Sequence, residues 1–395
     1  MTVQSQIPVS DIDLFTDDAL RDPYALYAAL REMGPVVHLP QYDLYAITQY
    51  AGVREVTMNC EVFSSAQGVG LNDVFNTATR GNIINSDPPE HRVMRQVLQR
   101  PLAAEKLRDI EPLLQREAAA VVNRVLASGS FDVIEELAQH LPLTVVSKLV
   151  GLGDYGRERM LDWAAAAFDA LGPMNERTAA ALPKAKEMVD FALSAKPDTL
   201  DPDGWAAALF AAGEAGELPA EKCPVMVQDY TAPSLDTTIL GIGSILWLFA
   251  THPDQWEKVR QNPALIRHAI NEGLRLESPI QLFCRVATED HRLGDVTITA
   301  GSRVMVLYGS ANRDERKYQN ADVFDVTRKA SDHLAFGAGE HACIGMTLAR
   351  LEIRLLLEQL VPRVKTFELG DGERMLNNLL RGFSHLEMRA ILDDE

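Results

Sequence analysis

The chain is predicted to be mainly α-helical with small β-sheets attached, folded as a single domain. Apolar residues recur at helical spacing over most of the 395 residues, and strand-like runs are few and short. No internal repeat, low-complexity tract or linker rich in Gly, Ser or Pro divides the chain. With 47% hydrophobic and 24% charged residues it can bury a large core. A formal net charge of -18 argues against general nucleic-acid binding and against docking on an anionic membrane.

Helical periodicity is clear in "DPYALYAALREMG", "LLQREAAAVVNRVLA" and "LARLEIRLLLEQL", and a long helix is expected from about Glu221 to Ala250. Strands are expected in "VVHLPQYDLYAIT", at 296–310 ("VTITAGSRVMVLYGS") and in "SHLEMRAIL" near the end. Irregular segments at 64–91 and 171–180 ("LGPMNERTAA") are expected to be lids or binding loops. The start "MTVQSQIPVSDIDLF" has no basic region followed by an apolar core, so no secretory signal is expected. The longest apolar run, "ILGIGSILWLFA", is too short to span a bilayer. Cys60, Cys223, Cys284 and Cys343 form no CxxC pair, a pattern that fits a reducing cytoplasm.

Two features carry chemistry. In "DYTAPSLDTTI", Pro233 interrupts the long helix beside Ser234, Asp236 and Thr237, and a proline in a helix interior costs roughly 3 kcal/mol against alanine. The segment is either a plain helix break or a bend that opens backbone groups toward a ligand. In "FGAGEHACIG", Cys343 follows Phe336, Gly337 and Gly339 and precedes Gly345, after which an apolar helix begins. A thiol at a helix N-terminus is stabilised as thiolate, so its pKa is expected to fall. The glycines let the backbone lie close to a flat ligand. A lone cysteine is ordinarily an inert small hydrophobe, and this spacing argues against that reading.

At these residues the chain resembles the cytochrome P450 family, the haem-thiolate monooxygenases. "FGAGEHACIG" matches the family's haem-binding signature in full. The resemblance implies one P450 domain over 1–395, a triangular helical prism enclosing haem b. It also implies substrate-access loops at about 64–90 and 165–195, a haem-thiolate loop at 336–345 and Cys343 as the proximal iron ligand, with Phe336 and Gly337 against the cofactor. In "NEGLRLESP", Glu272 and Arg275 share a helix face and resemble the family's buried Glu-x-x-Arg pair, a structural feature that pins the cysteine loop. His91 and Arg95 in "DPPEHRVMR", with Arg285 and His341, resemble the donors to the haem propionates. "PSLDTT" resembles the oxygen-site motif, which makes Asp236 and Thr237 the acid and alcohol of proton delivery. Pro233 and Ser234 depart from that motif, which usually has Ala or Gly followed by Gly.

Within the family the chain is similar to bacterial enzymes that demethylate para-substituted benzoates, through "SSAQGVGL", "FDALGPMNE", "ESPIQLFCR" and "LYGSANRD". The resemblance implies a substrate pocket of Gln67, Val69, Leu71, Phe168, Leu171, Gln228, Asp229, Ala232, Pro233, Ile280 and Phe283, with Phe168 and Phe283 on the aromatic ring. Gln67 stands where those relatives carry an arginine for the benzoate carboxylate, and Asp229 adds an acid. The substrate is therefore expected to be a neutral methoxyphenol or another para-substituted aromatic ether. A benzoate demethylase, a hydroxylase of an alicyclic or terpenoid substrate, and a haem sensor without turnover stay open as alternatives. The reaction is expected to use O2 and electrons from a [2Fe-2S] ferredoxin with an NAD(P)H-dependent reductase. The ferredoxin is expected to dock on the basic stretch containing Arg92, Arg95, Arg100, Lys106 and Arg108. A cytoplasmic monomer is expected.

Overall fold

The computed structural model describes residues 7–393, so the first six residues of the segment read for a secretory signal lie outside it. Helices dominate, and three small sheets sit at their margins. The expected helices form at Tyr24–Met33, Ala104–Ser128 and Met346–Leu360. Local chemistry sets several boundaries. Asn72 caps Asp73–Ala78 by accepting from the Phe75 amide at 3.2 Å. Asn175 caps Glu176–Ser194 through the Thr178 amide at 2.8 Å. Pro253 opens Pro253–Gln261 at the position where its missing N–H is harmless.

The largest sheet orders its strands Val36–Leu39, Leu44–Ile47, Arg303–Leu307, Leu282–Ala287 and Phe63–Ser64. Met305 pairs with Ala46 in parallel and with Cys284 in antiparallel register. A second sheet places Phe383–Leu392 between Ser130–Asp132 and Val364–Arg374, and His291–Leu293 pairs with Val296–Ile298 as a hairpin. The stretch expected as one strand at 296–310 is thus two strands split by a turn, and its last three residues begin the helix Tyr308–Ala311. The strands Leu282–Ala287 and Val364–Arg374 were not anticipated.

The main core is built on Asp236–Thr251, Ile266–Glu277 and Met346–Leu360, with Ile245, Leu274 and Leu356 among its buried residues. The helical run Lys222–Thr251 has the length and hydropathy of a membrane-crossing helix, and 72% of its most apolar window is buried inside the protein. Its apolarity is therefore that of a core helix. The run is not continuous: Gln228–Thr231 ends before Pro233, and helix resumes at Asp236. The expected access loop at 165–195 is mostly helical, Gly153–Ala170 and Glu176–Ser194, with an irregular connection at 171–175. In the 64–90 segment the helix Asp73–Ala78 interrupts the irregular chain.

Candidate active site

The loop before Met346–Leu360 brings Cys343 to the wall of a cavity of about 1880 Å³, its open mouth included. The Cys343 amide donates to the Phe336 carbonyl at 2.9 Å, closing the loop. Gly337 and Gly339 sit at φ 66° and 70°, and a Cβ at Gly339 would lie 2.7 Å from the Thr57 carbonyl oxygen. The thiol pKa does not fall as expected. Burial among the cavity walls pushes it up, against the pull of the Gly345 and Met346 amides and the Arg95 and Arg350 guanidiniums, while the side chain itself stays exposed to the cavity. The helix terminus acts in the expected direction. A bound metal deprotonates a coordinating thiol outright.

The loop is anchored from below. Arg275 and Glu272 are both 0% exposed and joined by two bonds of 2.8 Å. Arg275 Nη1 also donates to the carbonyls of Asn312 and Ala321, at 2.6 and 2.7 Å. Asn312 Oδ1 in turn accepts from the Leu334 amide at 2.7 Å, at the start of the cysteine loop. Arg328 donates to Glu272 at 2.9 Å.

The cavity wall suits haem. His91 and Arg95, one turn apart on the helix Glu90–Leu98, line it together with Arg285 and His341. His91 is fully buried with both ring nitrogens unpartnered, and His341 Nε2 is buried and unpartnered as well. Their rings lie 4.2 Å apart, centroid to centroid. Burial lowers the pKa of both histidines, that of His341 to about 2, so each is neutral until an acceptor arrives. Arg95 and Arg285 are occupied by one carbonyl each, of Ala342 at 2.7 Å and Cys284 at 2.6 Å. A set of unfilled donors and two cations suits the two carboxylates of haem b, and Cys343 offers the single thiolate its iron requires.

Thr237, Phe168, Leu171, Gln228, Asp229, Ala232, Pro233, Ile280, Phe283, Phe336 and Gly337 also line the cavity. Gln67, Val69 and Leu71 do not. Gln67 is exposed, and Val69 and Leu71 are buried because their backbone is tied to other elements, Val69 to Asn85 and Leu71 to Leu171. Asp236 is 4% exposed and is not in the wall, which Thr237 and Thr238 do line. Its Oδ2 has no partner, and burial, with the nearby charge of Asp162, raises its pKa well above the carboxylate range. Of the acid and the alcohol, the alcohol faces the cavity. Ser234 Oγ donates to the Tyr230 carbonyl beside the proline break.

Glu352 is among the wall residues that the sequence reading did not name. Glu352 is 1% exposed with Oε1 unpartnered, and burial raises its carboxyl to about 8. Its signal was legible as an acid four residues after Leu348 and four before Leu356, on the apolar stripe of the helix. The basic stretch is not one patch: Arg92 pairs with Glu340, Arg100 with Glu217, and Arg95 lines the cavity. Lys106 and Arg108 are exposed.

A model of the family described as cytochrome P450 matches residues 155–386. The chain is 36% identical over 389 residues to cytochrome P450 CYP199A2 of Rhodopseudomonas palustris, covering 97% of this chain and 94% of that protein. It is 30% identical to linalool 8-monooxygenase of Pseudomonas putida, covering 95% and 97%. The crystal structure of P450BioI with a hexadec-9Z-enoic acid-ligated acyl carrier protein superposes at a TM-score of 0.86 with 25% identity, covering 95% of this chain and 99% of that one. With the cysteine loop, its buried anchor and the unfilled donors in place, these likenesses establish that the chain belongs to the cytochrome P450 family and is a haem b-dependent monooxygenase using O2 and external redox partners.

Proposed function

We propose that this monooxygenase oxidatively O-demethylates a small neutral aromatic ether such as a methoxyphenol, with the whole chain 1–395 acting as one P450 domain. The observation that carries the reading is the charge of the cavity wall. Among the described residues its arginines are Arg95 and Arg285, both read here as haem-propionate partners, while the remaining wall holds Gln228 and the acids Asp229 and Glu352. A benzoate carboxylate has no cation of its own there, and burying it unpaired is costly. Phe168 and Phe283 supply faces for an aromatic ring.

Bound haem b, held by Cys343 with His91, Arg95, Arg285 and His341 on its propionates, supplies dioxygen activation and insertion of one oxygen atom into a C–H bond. The protein's part is to orient the methyl group, exclude water and pass protons into the cavity. Thr237 does the last at the wall, with Asp236 the acid next to it in the chain. Hydroxylation of an aryl methyl ether yields a hemiacetal, which collapses to a phenol and formaldehyde.

Electrons come from a [2Fe-2S] ferredoxin and its NAD(P)H-dependent reductase, and the protein works as a cytoplasmic monomer. Titrating a panel of aromatic ethers by the haem spectrum, followed by a formaldehyde assay, tests the reading. Tighter binding of 4-methoxybenzoate than of methoxyphenols would reject it. Likeness to a linalool 8-monooxygenase favours a terpenoid hydroxylase as the second reading. A hydroxylated terpene without formaldehyde would establish that instead.

A further inference from the structure

Most polar side chains in the cavity wall already have partners. Thr79 Oγ1 donates to the Phe75 carbonyl at 2.8 Å and accepts from Asn85 Nδ2 at 2.7 Å. Asn82 Oδ1 accepts from the Asn85 amide at 3.0 Å, and the Tyr230 hydroxyl donates to the Leu98 carbonyl at 2.8 Å. Gln228 differs. It is 2% exposed, it lines the cavity, and neither Oε1 nor Nε2 has a partner. Leaving the bonds of a buried polar group unmade is costly. Such a cost is removed when a ligand completes the bonds.

Asp229, the next residue, is 7% exposed and lines the same cavity. Its two carboxyl oxygens share one backbone donor, the Ile83 amide, at 3.2 and 3.1 Å. Burial raises its pKa to about 8, with the Ile83 bond pulling the other way and no cation contributing. Below about pH 8 Asp229 therefore keeps its proton and adds no charge beside Gln228.

We propose that Gln228 is the specificity-determining anchor of the substrate, holding a group that offers both a hydrogen-bond donor and an acceptor. A carboxamide fills both ends of Gln228 at once in a paired arrangement. A phenolic hydroxyl fills either end. An ammonium serves only Oε1, and a carboxylate serves only Nε2. This rests on the aromatic-ether reading for the choice of probes but not for the anchor itself.

The test is a spectral titration of the haem-loaded protein with anisole, 4-methoxyphenol, 4-methoxybenzamide and 4-methoxybenzoate. The benzamide is expected to bind about tenfold or more tighter than anisole, the phenol between them, and the benzoate no better than anisole. Q228L should compress the benzamide and phenol advantage to about threefold or less. A carbon monoxide difference spectrum with the thiolate-type band shows that each variant is loaded. Should Q228L fail to load, Q228E keeps the size and an acceptor oxygen but loses the amide donor, so it should lose the benzamide preference and keep that for the phenol. An unchanged order in the Gln228 variant, or a benzoate heading the wild-type series, overturns the proposal. If no aromatic ether perturbs the spectrum but a terpene alcohol does, and Q228L weakens it, the anchor stands and the aromatic reading falls. Probe binding that never depends on Gln228 overturns the anchor.

Discussion

Arg275 and Glu272 sit where no water reaches them, so each charge depends on the other and on the few groups bonded to them. Removing Arg275 leaves Glu272 with Arg328 and the Asp325 amide as donors. R275A is therefore expected to cost about 3 kcal/mol, the lower end for a broken buried pair, and to reduce haem retention because the Asn312 link to the cysteine loop is disturbed. Urea unfolding of the loaded protein measures the first and the carbon monoxide band the second. A loss below about 1 kcal/mol with full haem content contradicts the anchoring role. Asp229 and Glu352, both raised to about 8 by burial, make a second residue-scale prediction. At pH values between the ordinary carboxylate range and 8, the folded state keeps two protons that the unfolded chain has released. Stability from these groups is thus greatest at acidic pH and declines as pH rises toward 8. D229N and E352Q should each flatten that decline, and unchanged slopes in both variants would place the titrating groups elsewhere.

At the scale of the element, a proline break separates Gln228–Thr231 from Asp236–Thr251. Pro233 cannot donate to the Asp229 carbonyl, and Ser234 reaches the Tyr230 carbonyl with its side chain, a bond an uninterrupted helix makes with the backbone. Pro233 itself lines the cavity, as does Thr237 one turn later, whose Oγ1 lies 3.5 Å from the Pro233 carbonyl. P233A is expected to draw the segment toward regular helix, narrow the groove and lower the share of reductant recovered as product. Equal coupling and equal substrate binding in P233A would show that the break is incidental. The periodicity of this run made the helix legible, and the proline made its interruption legible. The strand Leu282–Ala287 was not, because "LFCRVA" is buried along nearly its whole length and so shows no alternation. Its identity as a strand comes from pairing with Arg303–Leu307 and Phe63–Ser64, which lie far away in sequence.

At the scale of the whole molecule, the charge of -18 and the exposed pair Lys106 and Arg108 set how a redox partner is met. Arg92 and Arg100 are already paired with glutamates, so their local field is partly cancelled. K106E/R108E is expected to slow reduction by an acidic ferredoxin several-fold at low ionic strength, with the difference shrinking above about 0.15 M salt. Stopped-flow reduction across a salt series measures it. Salt-independent rates that are equal in both proteins would move the docking face elsewhere.

The chain by itself determined the helical class, written in local periodicity, while the role of Cys343 and the burial of the Glu-Arg pair were legible through the resemblance that their motifs carry. Tertiary structure decided what faces the cavity. It left Gln67 on the surface, kept Asp236 out of the wall, brought Glu352 into it and kept Gln228 without a partner. Those outcomes depend on which distant segment covers each side chain, and that is fixed by packing between elements rather than by the residues on either side.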